Sequence, residues 1–284
     1  MLTISREQVK QYAIATLISL AAFLSFSLYL YLRRGYYNLY IANKAFGSAG
    51  LIVIGIVLLI GPLSRLYERF DPWLIYRKEL GIVGFAFALL HALVSFFFLP
   101  DRFPLAGYFG WGFTPFLLGL SSLLLLIALF ILSFEGVSRQ IEKEAWWRWQ
   151  YRGVRIAALL LFLHLVIMKY PGWLTWFTKG GSEELVRPYL PPGSLIAGSF
   201  GFMVLLVRLI EAAGAKIARL VTPLLLALLL VFWMGSLAWG KTKTPQALPL
   251  SWPTCLKLPK SKILESYPPV CVSPDGRRAT QPIF

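Results

Sequence analysis

Histidine is nearly absent from this chain of 284 residues, which holds only His91 and His164. Cysteine is as scarce: Cys255 and Cys271, both near the C-terminus, are the whole complement. Neither a CxxC nor a CxxCH spacing occurs, so no thiolate set for an iron–sulfur cluster and no attachment point for a c-type haem is present. Charged residues make up 14% of the chain, against about a quarter in a soluble domain. A GxGxxG loop is also missing, which leaves any oxidation of a nicotinamide cofactor to another polypeptide. No carboxylate pair or Ser/His/Asp set stands in a setting that would support hydrolase or kinase chemistry.

What the chain has in excess is apolar sequence, 57% of it, with a mean hydropathy of +0.66. That excess is arranged in seven runs at about 11–32, 45–64, 79–99, 114–134, 153–170, 194–211 and 219–239. Each is near the roughly 20 residues that cross about 30 Å of hydrocarbon as a helix. The fold class expected is therefore all-α, a polytopic transmembrane bundle over residues 1–240. Residues 241–284 are different material, with six prolines before Val270 and no clear period, and read as an irregular extramembrane tail. The first run lacks a small-residue cleavage site behind it and reads as a retained helix. Glycines inside the second run (Gly47, Gly50, Gly55) would let a neighbouring helix or a flat ligand approach closely.

The net charge of +15 does not mark a nucleic-acid binder. The basic residues lie between apolar runs, where they meet anionic lipid headgroups and set topology. With seven spans, the N-terminus and every second loop share one side, which carries fourteen Lys and Arg against seven in the opposite loops (Arg33, Arg34, Lys44, Arg102, Lys169, Lys179, Arg187). The bias places the N-terminus in the cytoplasm and the tail outside. Tryptophans at 146, 147, 149, 173, 176 and 239 fall at run ends, as an interfacial belt requires.

An imidazole inside hydrocarbon is costly, so each histidine is a functional candidate. Fourteen residues separate Arg77 from His91 and twelve separate Arg152 from His164. These correspond to about 21 and 18 Å along helices entering from the same side. Both rings therefore fall in the outer half of the membrane on parallel helices. Two inward-facing imidazoles at one depth suit the axial positions of a single b-type haem. The competing reading is that each histidine hydrogen-bonds a carbonyl or hydroxyl on a neighbouring helix. Zinc would want further ligands, and no Asp, Glu or Cys lies near either histidine along its helix.

The segments GSAGLIVIGIVLLIGPLSRL and RKELGIVGFAFALLHALVSF resemble the ferric-reductase-like transmembrane domain, as does WWRWQYRGVRIAALLLFLHLVIMK. The likeness covers residues 45–170 and rests on Arg77, Leu80, Gly81, His91, Trp149 and His164. It implies haem iron held by His91 and His164, in a bacterial inner or thylakoid membrane. Members often carry another histidine thirteen residues before the second ligand; here that position is Tyr151. The resemblance thus implies one outer haem b, with a quinone, a flavin-bearing partner or an external donor supplying or taking electrons. The alternative is a non-catalytic assembly factor or accessory subunit that keeps the helical fold. Tyr151, the seventh run and the tail lend that alternative its weight.

Three lesser signals remain. Cys255 and Cys271 enclose fifteen residues. In an oxidising compartment they are expected to pair, at about 3 kcal/mol in the chain-entropy picture; two unrelated thiols are the other reading. Arg102, Lys169, Lys179 and Arg187 are candidates for haem propionates, or simply contact lipid. The stretch from Arg139 to Arg155 reads as an amphipathic connector at the cytoplasmic surface.

Overall fold

The computed structural model describes residues 5–110, 112–182, 185–243, 256, 262–264, 270–272 and 278–280. Seven of its helices are long and apolar enough to cross a membrane. They are α1 (Arg6–Arg34), α2 (Leu39–Leu66), α3 (Arg77–Leu93, prolonged on either side by a 3₁₀ turn and a π turn), α5 (Phe113–Leu132), α7 (Lys143–Lys179), α8 (Gly193–Ala213) and α9 (Ala215–Lys243). Two short helices, α4 (Leu105–Phe109) and α6 (Glu135–Ser138), lie in the connections. The expected polytopic helical bundle is what forms, because a backbone in hydrocarbon must satisfy its own polar groups.

Helix ends follow local chemistry. Ser5 accepts from the Gln8 amide and Gln8 reaches back, a capping box at the start of α1. Gly35 closes that helix at φ 81°, a left-handed position that glycine adopts without a Cβ penalty. Asn38 then caps α2 through the Ile41 amide. Helix α7 runs through Pro171 to Lys179, although Pro171 marked the end of the fifth run in the sequence. Proline is tolerated inside membrane helices because neighbouring groups satisfy what it frees.

The glycine-rich α2 is the central helix, packed against α1, α3, α7, α8 and α9. Its most apolar stretch is 61% buried where those of the other spans range from 17% to 44%. Small residues make that centrality possible. A Cβ on Gly84 of α3 would lie 3.0 Å from Ile54 of α2, and one on Gly55 would lie 2.6 Å from the Phe200 ring of α8. Ile54, Leu58, Phe85, Leu126, Ala157, Val204 and Val207 form the main apolar core across these helices.

Two tight pairs dominate: α2 with α3, and α5 with α7. The pairs meet each other through α2–α7 and α3–α5 contacts, while α3 and α7 are not themselves a packed pair. The helices bearing the two histidines thus face one another across the diagonal of a four-helix group.

The tail adds short strands to the irregular segment expected. Its described residues include an antiparallel three-stranded sheet, β1 (Lys262–Leu264), β2 (Val270–Val272) and β3 (Arg278–Thr280). Val270-Cys271-Val272 pairs with both neighbours, with Cys271 opposite Ile263 and Ala279. The β-branched flanks favour such pairing, but three-residue strands are too short to show an alternating pattern in the sequence.

Candidate functional site

His91 lies in the last turn of α3, and its Nδ1 is 2.9 Å from the Asn43 carbonyl oxygen of α2. A second acceptor, the Asn43 side-chain Oδ1, stands 3.0 Å from the same nitrogen. His164 sits in α7, with Nδ1 2.6 Å from the Pro115 carbonyl oxygen of α5. A carbonyl only accepts, so each Nδ1 carries the proton and each Nε2 keeps its lone pair. Neither Nε2 has a hydrogen-bond partner among the described residues. The tautomer that a metal ligand needs is therefore imposed on both rings by the main chain of a neighbouring helix.

Local sequence explains how a helix carbonyl, already bonded along its own axis, becomes reachable from outside. Side chains on a helix lean toward its N-terminus, so the residue four positions on covers the carbonyl of residue i. Four residues after Asn43 is Gly47; four residues after Pro115 is Gly119. A Cβ on Gly47 would lie 3.1 Å from His91 Nδ1, and one on Gly119 only 2.8 Å from His164 Nδ1. The same device recurs in both helix pairs: an open carbonyl, a glycine one turn later, and an imidazole lying over that glycine.

The rings also share electrical surroundings. They are near enough to interact electrostatically with one another, and Lys169 is in range of both. Lys169 in turn belongs to a cluster of cations with Arg33, Arg34, Lys44 and Arg102. Three of these surround one ring: Lys44 Nζ is 4.0 Å, the Arg102 guanidinium 5.3 Å and the Arg34 guanidinium 5.9 Å from the Tyr40 centroid. Lys169 thus lies within electrostatic range of both histidines, and Arg102 of Lys44. Arg187, by contrast, is exposed and binds through its backbone N–H to Arg33, and Lys179 lies at the far end of α7.

Toward the other membrane face, Tyr151 is engaged by two guanidiniums, with Arg155 at 3.6 Å and Arg208 at 5.5 Å from its centroid. The Tyr151 hydroxyl accepts a hydrogen bond from Arg155. Arg208 also pairs with Glu211 at 2.8 Å, and Glu211 holds Arg65 as well. Cys271 is fully buried and disulfide-bonded. Cys255 lies outside the described residues.

Asn43, Ser95, Pro115 and Gly119 play no part in the sequence reading of the site. The detectable signal was Asn43 itself, an amide close to a long apolar run, where an unpaired polar group is expensive.

Comparison with known families agrees with this architecture. The family described as ferric reductase like transmembrane component matches residues 46–155, a stretch that contains Gly47 and His91 and ends before His164. The haem-binding subunit MsrQ of a protein-methionine-sulfoxide reductase from Herminiimonas arsenicoxydans is 30% identical over 169 residues, covering 58% of this chain and 68% of that relative. The chain belongs to the ferric-reductase-like transmembrane family. The metalloreductase STEAP3 of Rattus norvegicus is also 30% identical over an aligned length of 108, with 29% of this chain and 22% of that protein covered.

Proposed function

We propose that this protein is a membrane b-type cytochrome that holds one haem between His91 and His164 and passes electrons to or from a partner at the outer face. The observation that carries the reading is the paired tautomer lock: each Nδ1–H is spent on a carbonyl opened by a glycine. Two Nε2 lone pairs, on helices across a diagonal, are what axial ligation of one iron requires. The names of the two relatives, a haem-binding subunit and a metalloreductase, support the same chemistry.

The chain fits the group in other ways. Gly47 and Gly119 remove side chains where a flat macrocycle's ligands must be seated. Lys169, Lys44, Arg34 and Arg102 supply cations on the side of the histidines, suited to two propionates. When bound, the iron supplies a one-electron couple, while the protein sets its position, burial and ligand field. The N-terminus is placed in the cytoplasm and the tail outside, following the distribution of Lys and Arg. Electrons arrive or leave through a quinone, a flavin-bearing partner or an external donor.

An absorption spectrum of the purified protein tests the reading. A Soret band and a dithionite-dependent α-band are expected, both lost in His91→Ala and in His164→Ala. A colourless wild-type protein after expression with ample haem would overturn the cytochrome and leave the accessory-subunit alternative.

A further inference from the structure

We propose that Asn43 and Ser95 are positioning residues that strengthen His91 as an axial donor and hold the haem potential down. This rests on the haem reading above, and concerns a tuning of His91 that the reading itself does not require.

Donor and acceptor roles can be followed atom by atom. The Asn43 carbonyl fixes the proton on His91 Nδ1. The Asn43 side-chain amide, 3.0 Å from that nitrogen, must then present its oxygen. Its Nδ2 consequently faces the other way, and there it donates to Ser95 Oγ at 2.8 Å. Ser95 is four residues beyond His91, one turn further along the same helix, within the π turn Val94–Phe98. Such turns are uncommon and concentrate at functional sites. Asn43 is only 1% exposed, so each polar atom of its side chain would be costly to leave unpaired. The single Nδ1–H of His91 is thus shared between two oxygens, with the second one oriented by Ser95.

Among the described residues, His164 Nδ1 meets the Pro115 carbonyl alone, at 2.6 Å, and proline brings no side-chain acceptor. More acceptor strength at Nδ1–H makes Nε2 a better donor, which favours ferric over ferrous iron and lowers the potential. The plainer alternative is that Asn43 merely ties α2 to α3. That role would change stability and haem retention but leave the potential where it is.

The test uses the full-length haem-loaded protein in detergent, titrated potentiometrically on the α-band, with low-temperature EPR of the oxidised form. Asn43→Leu is expected to raise the reduced-to-oxidised ratio about tenfold at the wild-type midpoint, equivalent to about 59 mV for a one-electron couple. Ser95→Ala should move the midpoint the same way by less, because the amide oxygen stays but loses its anchor. Asn43→Asp, which keeps an oxygen acceptor, should restore the wild-type value or fall below it. The low-spin EPR g values should shift in Asn43→Leu and return in Asn43→Asp. Ser199→Ala, which removes an acceptor for Trp233 between α8 and α9, should change neither readout. If Asn43→Leu fails to fold or to load haem, Ser95→Ala and Asn43→Asp decide the matter. Wild-type midpoints and g values in haem-loaded Asn43→Leu and Ser95→Ala would overturn the inference while leaving the haem site intact. A wild-type protein without low-spin haem would remove the haem reading first, and this inference with it.

Discussion

His164 gives its Nδ1–H to the Pro115 carbonyl at 2.6 Å, across the α5–α7 interface and directly over Gly119. His91 repeats the arrangement on α2, with Asn43 as acceptor and Gly47 beneath the ring. Two helix pairs that share no sequence motif have arrived at one local solution. The common cause is steric: a helix carbonyl is available to a neighbour only when the residue four positions later leaves it uncovered.

Adding a methyl group tests that cause. In Gly119→Ala the new Cβ would stand 2.8 Å from His164 Nδ1, inside any tolerable contact, whereas in Gly47→Ala it would stand 3.1 Å from His91. Gly119→Ala is therefore expected to lower haem affinity by about 10–100-fold, the range typical when the groups that orient a metal's histidines are lost. Gly47→Ala should do less. Haem-to-protein ratios from a pyridine haemochrome assay read both, and a full complement in Gly119→Ala would contradict the geometry.

The cations offer an independent handle. Lys169 is electrostatically linked to both histidines and to Lys44, which packs on Tyr40. If these amines neutralise propionates, Lys169→Gln and Lys44→Gln should each speed haem loss to apomyoglobin, and the double variant more than either. Removing one charge-assisted bond of this kind is worth about 1.5–3 kcal/mol, or roughly ten- to a hundredfold in release. Porphyrins esterified at both propionates should bind the wild type and the double variant equally. Unchanged release in the double variant would assign the cluster to lipid headgroups instead.

How much of this was legible beforehand depends on whether a feature lies along one helix or between two. Span number and the two histidines are properties of single segments, and rise per residue alone put His91 and His164 in the same half of the membrane. Gly47 was noticeable because it sits in a run with Gly50 and Gly55, but the sequence does not say which ring it admits. Pro115 and Gly119 belong to no motif that the sequence offers. Their role appears only when α5 is set against α7, since 49 residues separate Pro115 from His164 in the chain. The same limit hid Ser95 and Asn43, which are 52 residues apart.

The far end of the bundle should matter for stability and not for the haem spectrum. Glu211 pairs with Arg208, both side chains being only 10% exposed, and also with the more open Arg65. Glu211→Gln would leave Arg208 buried without its carboxylate. Such breakage costs about 3–5 kcal/mol in a fully buried pair, and the exposure of Arg65 puts this one at about 3 kcal/mol or below. Thermal unfolding of the detergent-solubilised variant should show a lower midpoint with an unaltered Soret maximum. An unchanged melting midpoint would mean that lipid or water already screens the pair.

The tail links redox chemistry to topology. Cys271 is fully buried in β2 and disulfide-bonded, and the sequence contains one other cysteine, Cys255. Pairing these two would close a loop of fifteen residues, worth about 3 kcal/mol in the chain-entropy account. Such a bond persists only on the oxidising side of a membrane, the side to which the Lys and Arg distribution assigns the tail. Peptide mapping without reductant should therefore find one cross-linked pair of peptides. In intact cells, a membrane-impermeant maleimide should label the protein only after an external reductant has been added. Free thiols in unreduced protein would remove the bridge. Labelling confined to inverted vesicles would place the tail in the cytoplasm, reverse the orientation of every helix, and move the His91–His164 pair to the inner half of the membrane.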